Sequence, residues 1–253
     1  MFGDNDLTLD QFIGGKLMIS QPKTGYRAAM DPVLLAASVS AKAGEKVLEL
    51  GCGAGVASLC LGARVNALLT GLELQPAYAD LARRNAAQNG MDFNVITGDL
   101  ADMPVELRAA SFDHVIANPP YFTAESGTKA ADPGREIGQR EETPLSHWVA
   151  QGLKRLYTGG WITMIQNADR LGDLLTALQA QGAGAITVLP IAPRIGRPAG
   201  RVIVQARKQA RAPMQLLAPF ILHEGPSYNH DGANLTPEAR AILRDGDILP
   251  LSR

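Results

Sequence analysis

The chain has 253 residues, 24 Lys and Arg against 25 Asp and Glu, a net charge of -1 at pH 7 and 46% hydrophobic residues. That balance is long and apolar enough for a sizeable core and excludes intrinsic disorder, collagen, a coiled coil and a uniformly basic nucleic-acid coat. Two cysteines, Cys52 and Cys60, and four scattered histidines make neither a disulfide framework nor a zinc site, so no metal is expected. The opening MFGDNDLTLDQF lacks the basic segment of a secretory signal. The most apolar run, Ala54 to Leu72, is broken by Arg64 and Asn66, so no membrane span is expected and a cytoplasmic protein is the plain reading.

In chain order, Gln11 to Ile19 predicts a hairpin around Gly14-Gly15. Asp31, as an N-cap, and Pro32 then open an apolar helix. A strand-helix alternation follows: strand Lys46–Leu50, a helix to about Arg64, strand Leu68–Leu74, helix Pro76–Asn89 closed by Gly90, and strands Phe93–Thr97 and Phe112–Ala117. Thr123 to Pro144 is polar, mixed in charge and glycine-containing, as in a long mobile loop. Helix His147–Leu156, strand Trp161–Gln166, helix Asp169–Gln181 and strands Ile186–Ile191 and Arg201–Ala206 complete the pattern. The alternation predicts an α/β fold: a mostly parallel sheet with helices on both faces and an antiparallel edge strand. Residues 1–40 form an N-terminal extension of hairpin and helix, and 41–253 the main domain.

Two places carry chemistry. Leu50-Gly51-Cys52-Gly53-Ala54-Gly55 lies between the first core strand and a helix, where glycines let backbone N–H groups approach a ligand. Glu73 ends the next strand, where a carboxylate can take both ribose hydroxyls of an adenosine. A dinucleotide fingerprint wants its third glycine at the position of Val56, so a nicotinamide cofactor is disfavoured. There is also no Gly-Lys-Ser/Thr ending of a phosphate loop.

The second place is Asn118-Pro119-Pro120-Tyr121, followed by Phe122, directly after a strand. Two prolines after a given Asn arise by chance roughly once in 400. An exocyclic amine of adenine is a poor nucleophile because its lone pair is delocalised into the ring. Two acceptors aimed at its hydrogens, the Asn118 side-chain oxygen and the Pro119 carbonyl, would turn that lone pair outward. The prolines hold those acceptors stiffly, and Tyr121 offers a face on which a base can stack.

The run Glu49 to Gly55 resembles the cofactor loop of class I S-adenosylmethionine-dependent methyltransferases. That resemblance implies S-adenosylmethionine above Gly51, Cys52, Gly53 and Gly55, its ribose on Glu73 beside Leu74, and its adenine against Asp99 and Leu100. The tetrad resembles that of amino-methyltransferases acting on planar nitrogen, which implies catalytic roles for Asn118, Pro119, Pro120 and Tyr121, with Asn118 also bordering the cofactor. From about Thr8 to Leu243 the order of parts, including Gln21 to Ser38, resembles the bacterial tRNA1(Val) adenine-37 N6-methyltransferase family. By that likeness Tyr26 and Asp31 border the cofactor, and the substrate is a tRNA. The acid-free basic run that includes Arg194, Arg197 and Arg201 is a fair phosphate grip, alongside Tyr121 and Phe122 on the base. The first alternative is a protein glutamine N5-methyltransferase, although barely 45 residues precede the core, too few for the helical domain such enzymes usually carry. The second is a non-catalytic cofactor- or RNA-binding module, against which the intact tetrad argues.

Overall fold

A computed structural model describes residues 1–120, 122–123, 140–141, 143–225 and 234–251, with backbone alone at 122–123 and 140–141. The chain opens on a hairpin of β1 (Leu7–Phe12) and β2 (Leu17–Pro22), followed by α1 (Met30–Ala37). The alternation then runs β3 (Lys46–Leu50), α2 (Val56–Arg64), β4 (Leu68–Glu73), α3 (Pro76–Gln88) and β5 (Phe93–Thr97). A short α4 (Val105–Ala109), absent from the sequence-based expectation, precedes β6 (Phe112–Ala117). After two short paired strands, β7 (Phe122–Thr123) and β8 (Arg140–Glu141), come α5 (Leu145–Arg155), β9 (Leu156–Asn167) and α6 (Leu171–Ala180). Then follow β10 (Ala183–Ala192), β11 (Arg201–Lys208) and the two-residue strands β12 (Gln215–Leu216) and β13 (Phe220–Ile221). Most of the loop expected over Thr123–Pro144 lies outside the described residues.

The main sheet has the order β12-β10-β11-β9-β6-β3-β4-β5, with β13 also on β10. β3 to β6 and β9 run parallel, while β11 is antiparallel to both β9 and β10. The expected antiparallel strand is therefore present, but it runs inside the sheet rather than at its edge. The reason is local: a hairpin puts β11 against β10, and β11 is slotted beside β9, whose long run offers it seven register partners from Trp161 to Asn167.

Strand residues alternate between two packed layers, as pleating requires. Val47, Ile116, Ile165 and Ile203 face a cluster with Leu17, Ile19, Leu34, Leu35, Leu59 and Leu61 from the hairpin, α1 and α2. Leu48, Val115, Ile162 and Val204 face Leu107, Val149, Leu153 and Leu178 from α4, α5 and α6. One expectation is corrected here. Asp31 is not the cap of α1: Ala29 occupies that place, and Asp31 sits in the first turn with its carboxylate 3.2 Å from Arg201 Nε. Placed there it still complements the positive helix end, and its carboxylate accepts from the guanidinium of Arg201 on β11.

The two layers leave little slack. A Cβ built on Gly71 in β4 would stand 2.6 Å from Phe93 Cζ and 2.7 Å from Cys52 Sγ. Gly71→Ala is expected to cost about 1–3 kcal/mol through overpacking, read as a lower urea midpoint with unchanged slope.

Candidate active site

The chain runs outward from β3 through β4 to β5, then returns to lay β6 on the other side of β3. This reversal opens a crevice at the carboxyl ends of β3 and β6, where open α/β sheets bind ligands. Leu50 and Ala117, the last residues of the two strands, are register partners. The segments Gly51–Gly55 and Asn118–Pro120 therefore leave the sheet side by side.

A cleft partly open to solvent occupies that place. Among the residues singled out in the sequence, Tyr26, Glu49, Gly51, Cys52, Gly53, Glu73, Leu74, Asn118 and Pro120 line it. Gly51, Gly53 and Gly55 have φ of 65°, 53° and 85°, and a Cβ on Gly51 would fall 2.7 Å from the Trp148 ring. Gly55 is the left-handed cap of α2, and Pro119 is buried beside Asn118.

The walls of the cleft are tied together by side chains. Glu73 accepts from Gly53 N–H through Oε2 and from Gln75 N–H through Oε1, both at 2.8 Å. Burial pushes its carboxyl pKa up, while these amide donors pull it the other way. Glu49 is buried behind the loop, where Ser58 donates to Oε2 from its amide at 3.0 Å and its hydroxyl at 2.5 Å. Burial raises Glu49 to about 8, against the pull of Ser58. Tyr78 brackets Tyr26: its hydroxyl accepts from Tyr26 N–H at 2.9 Å and donates to Tyr26 C=O at 3.0 Å. The Tyr26 phenol is held neutral by burial and by the carboxylates of Asp31, Glu49 and Glu73, and it stands 3.5 Å from Asn118 Nδ2.

Other expected residues fall elsewhere. Asp31 is outside the lining, which its neighbour Pro32 joins instead, because its carboxylate faces Arg201. Asp99 is exposed and accepts from Ala101 N–H at 2.8 Å, and Leu100 is buried in the core; neither lines the cleft. Arg194 is 4% exposed, with its guanidinium donating to the carbonyls of Glu224 and Gly225, and so is a strut rather than a free grip. Arg201 is paired with Asp31, whereas Arg197 is exposed at the tip between β10 and β11. Tyr121 lies outside the described residues, and Phe122 is described by its backbone in β7. Sequence reasoning missed Trp148 in α5, Tyr78 in α3 and Gln75 just before α3, since nothing there marks these side chains before the fold turns them inward. Among the described residues no group of histidines, cysteines and acids is arranged to hold a metal, and no helix is long and apolar enough to cross a membrane.

The cradle suits the cofactor implied by the glycine run. Left-handed Gly51 and Gly53 bring no side chain of their own to the cleft, and Glu73 adds a carboxylate to its wall. The strand order and this loop give the fold of class I S-adenosylmethionine-dependent methyltransferases. The comparisons agree: a family described as "Methyltransferase domain" matches residues 47–131. The chain is similar to the tRNA1(Val) (adenine(37)-N6)-methyltransferase of Haemophilus influenzae, at 26% identity over 82% of this chain and 88% of that protein. Among solved structures it is similar to a predicted O-methyltransferase from Agrobacterium tumefaciens, with TM-score 0.71 and 26% identity over 87% of this chain and 99% of the other. It shares its fold with P. horikoshii TYW2 in complex with MeSAdo, with TM-score 0.57 and 13% identity over 83% of this chain and 74% of that one.

The buried Glu49 has a consequence for stability. Between the ordinary carboxyl value of 4.5 and about 8, the unfolded chain has released this proton and the folded chain keeps it. Stability should therefore fall as pH rises through that window. Urea titrations without cofactor should show this decline, and Glu49→Gln should flatten it.

Proposed function

We propose that the protein transfers a methyl group from S-adenosylmethionine to the exocyclic N6 amine of an adenine in tRNA, at adenine 37 in the anticodon loop of a valine tRNA. The observation that carries this reading is the meeting of Asn118 and Pro120 with the glycine loop in one cleft. The cofactor supplies an electrophilic methyl on a sulfonium. Gly51, Cys52, Gly53 and Gly55 would hold its amino-acid end near Glu49, and Glu73 with Leu74 its ribose. Tyr26 would close the same side. Asp99 and Leu100 lie outside the lining in this structure.

On the acceptor side, the Asn118 Oδ1 and the Pro119 carbonyl would take the two amine hydrogens, directing the lone pair toward the methyl. Tyr121 and Phe122 would hold the base by its faces. Alignment of this kind supplies roughly 7–11 kcal/mol of barrier reduction, and the amine loses its proton after transfer, so no strong base is required. The tetrad offers acceptors for N–H donors and no base for a hydroxyl. This favours nitrogen over the oxygen acceptor named for the Agrobacterium structure.

The choice of tRNA rests on the named relatives, which this chain matches over most of its length at about a quarter identity. An unpaired loop adenine is also the cheapest base to turn out of its stack. Arg197, at the exposed tip on the acceptor flank, is suited to a phosphate. Residues 1–40 would serve as an extension that walls the cleft through Tyr26, Ala28 and Pro32, with the transfer machinery in 41–253. Such a reaction belongs in the cytoplasm.

Labelled methyl from S-adenosylmethionine, offered with unmodified tRNA, should appear in N6-methyladenosine after digestion to nucleosides. Unlabelled tRNA alongside labelled glutamine in protein acceptors would move the reading to the protein glutamine enzyme. No turnover with any acceptor would leave a binding module. Asn118→Ala should abolish transfer while S-adenosylhomocysteine still binds, as measured by calorimetry.

A further inference from the structure

Gln166 is fully buried near the end of β9, the strand beside β6. Its Oε1 accepts from Asn167 N–H at 2.8 Å, and its Nε2 donates to the Pro120 carbonyl at 3.3 Å. The amide orientation follows from chemistry, since a backbone N–H can face only the oxygen, leaving the NH2 group for a carbonyl. An amide buried to this degree is costly unless both of its ends are bonded, and here both are.

The torsions of the tetrad show what that bond is for. Asn118 precedes a proline and Pro119 precedes another, so steric contact with the following ring confines ψ at both. The rings of Pro119 and Pro120 fix φ at both. The first backbone torsion not restrained by covalent geometry is ψ of Pro120, which sets the direction of the Pro120 carbonyl. That carbonyl is the atom that Gln166 holds.

We infer that Gln166 is a positioning residue for methyl transfer: by holding the Pro120 carbonyl it fixes ψ of Pro120, and so the direction in which the chain leaves Asn118-Pro119-Pro120. The inference rests on the function proposed above for its catalytic consequence, and on the structure alone for the bond.

Pro-Tyr occurs once in the sequence, at Pro120-Tyr121. Protein labelled with 13C-carbonyl proline and 15N tyrosine therefore gives a single cross-peak reporting the Pro120 carbonyl. In Gln166→Met, which keeps the side-chain length and removes both bonds, that carbonyl should move upfield. The same variant should lower kcat on tRNA by about 10- to 100-fold, the loss typical of misplaced reacting groups, with S-adenosylhomocysteine affinity unchanged. Gln166→Leu removes the same two bonds with less bulk. It should show the same pattern and serves where the methionine variant fails to fold. An unmoved carbonyl resonance would overturn the inference, as would a moved resonance with undiminished kcat. Wild-type protein that leaves tRNA unlabelled would defeat the proposed substrate instead, and the carbonyl resonance would still decide whether Gln166 holds the tetrad.

Discussion

The side-by-side exit of two chain segments from β3 and β6 is the constraint on which the rest of the molecule depends. Leu50 and Ala117 are partners in a parallel ladder, so whatever follows each of them must share one small volume at the same end of the sheet. Parallel strands place like ends together, and the return of the chain across β3 leaves that end uncovered by a crossover. The glycine loop and the proline tetrad need no long-range search for each other. Register alone brings them to the same cleft.

The two segments are made rigid by opposite means. On the glycine side flexibility is intrinsic, and order is imposed from outside: Glu73 takes the Gly53 amide, while Trp148 leaves room at Gly51 only for a hydrogen. On the tetrad side rigidity is written into the backbone by two prolines and their effect on the residues before them. Electrostatics follows the same division. The acids at the cleft, Glu49 and Glu73, both stand on the glycine side, where a cofactor bearing positive charge would compensate their burial. The tetrad presents uncharged acceptors.

Much of this was legible in the sequence because the relevant signals are local. Strands of a parallel sheet buried on both faces appear as short apolar runs, and β3, β4, β5 and β6 fall within a residue of their expected bounds. The glycine run and the tetrad are likewise contiguous, so composition and order were enough to find them. What escaped depends on partners far away in the chain. Asp31 looks like a cap until Arg201, 170 residues on, stands opposite it. Arg194 looks like a surface cation until the carbonyls of Glu224 and Gly225 enclose it. Trp148 and Tyr78 are ordinary helix residues until the fold directs them to the cleft. The placement of β11 inside the sheet is of the same kind, since a hairpin motif does not reveal which of its strands meets the main sheet.

Asn85 is buried in α3, where its Nδ2 donates to Ser20 C=O in β2 at 3.1 Å and to Ala54 C=O in the glycine loop at 2.9 Å, while its Oδ1 accepts from Ser20 N–H at 2.8 Å. One amide thus serves as a shared anchor for the amino-terminal hairpin and the glycine loop. Peeling the hairpin away would strand that amide and release Ala54 with it. A tether, clip or bulky tag that strains β2 would accordingly be felt at the wall of the cleft, transmitted through a side chain that does not line it.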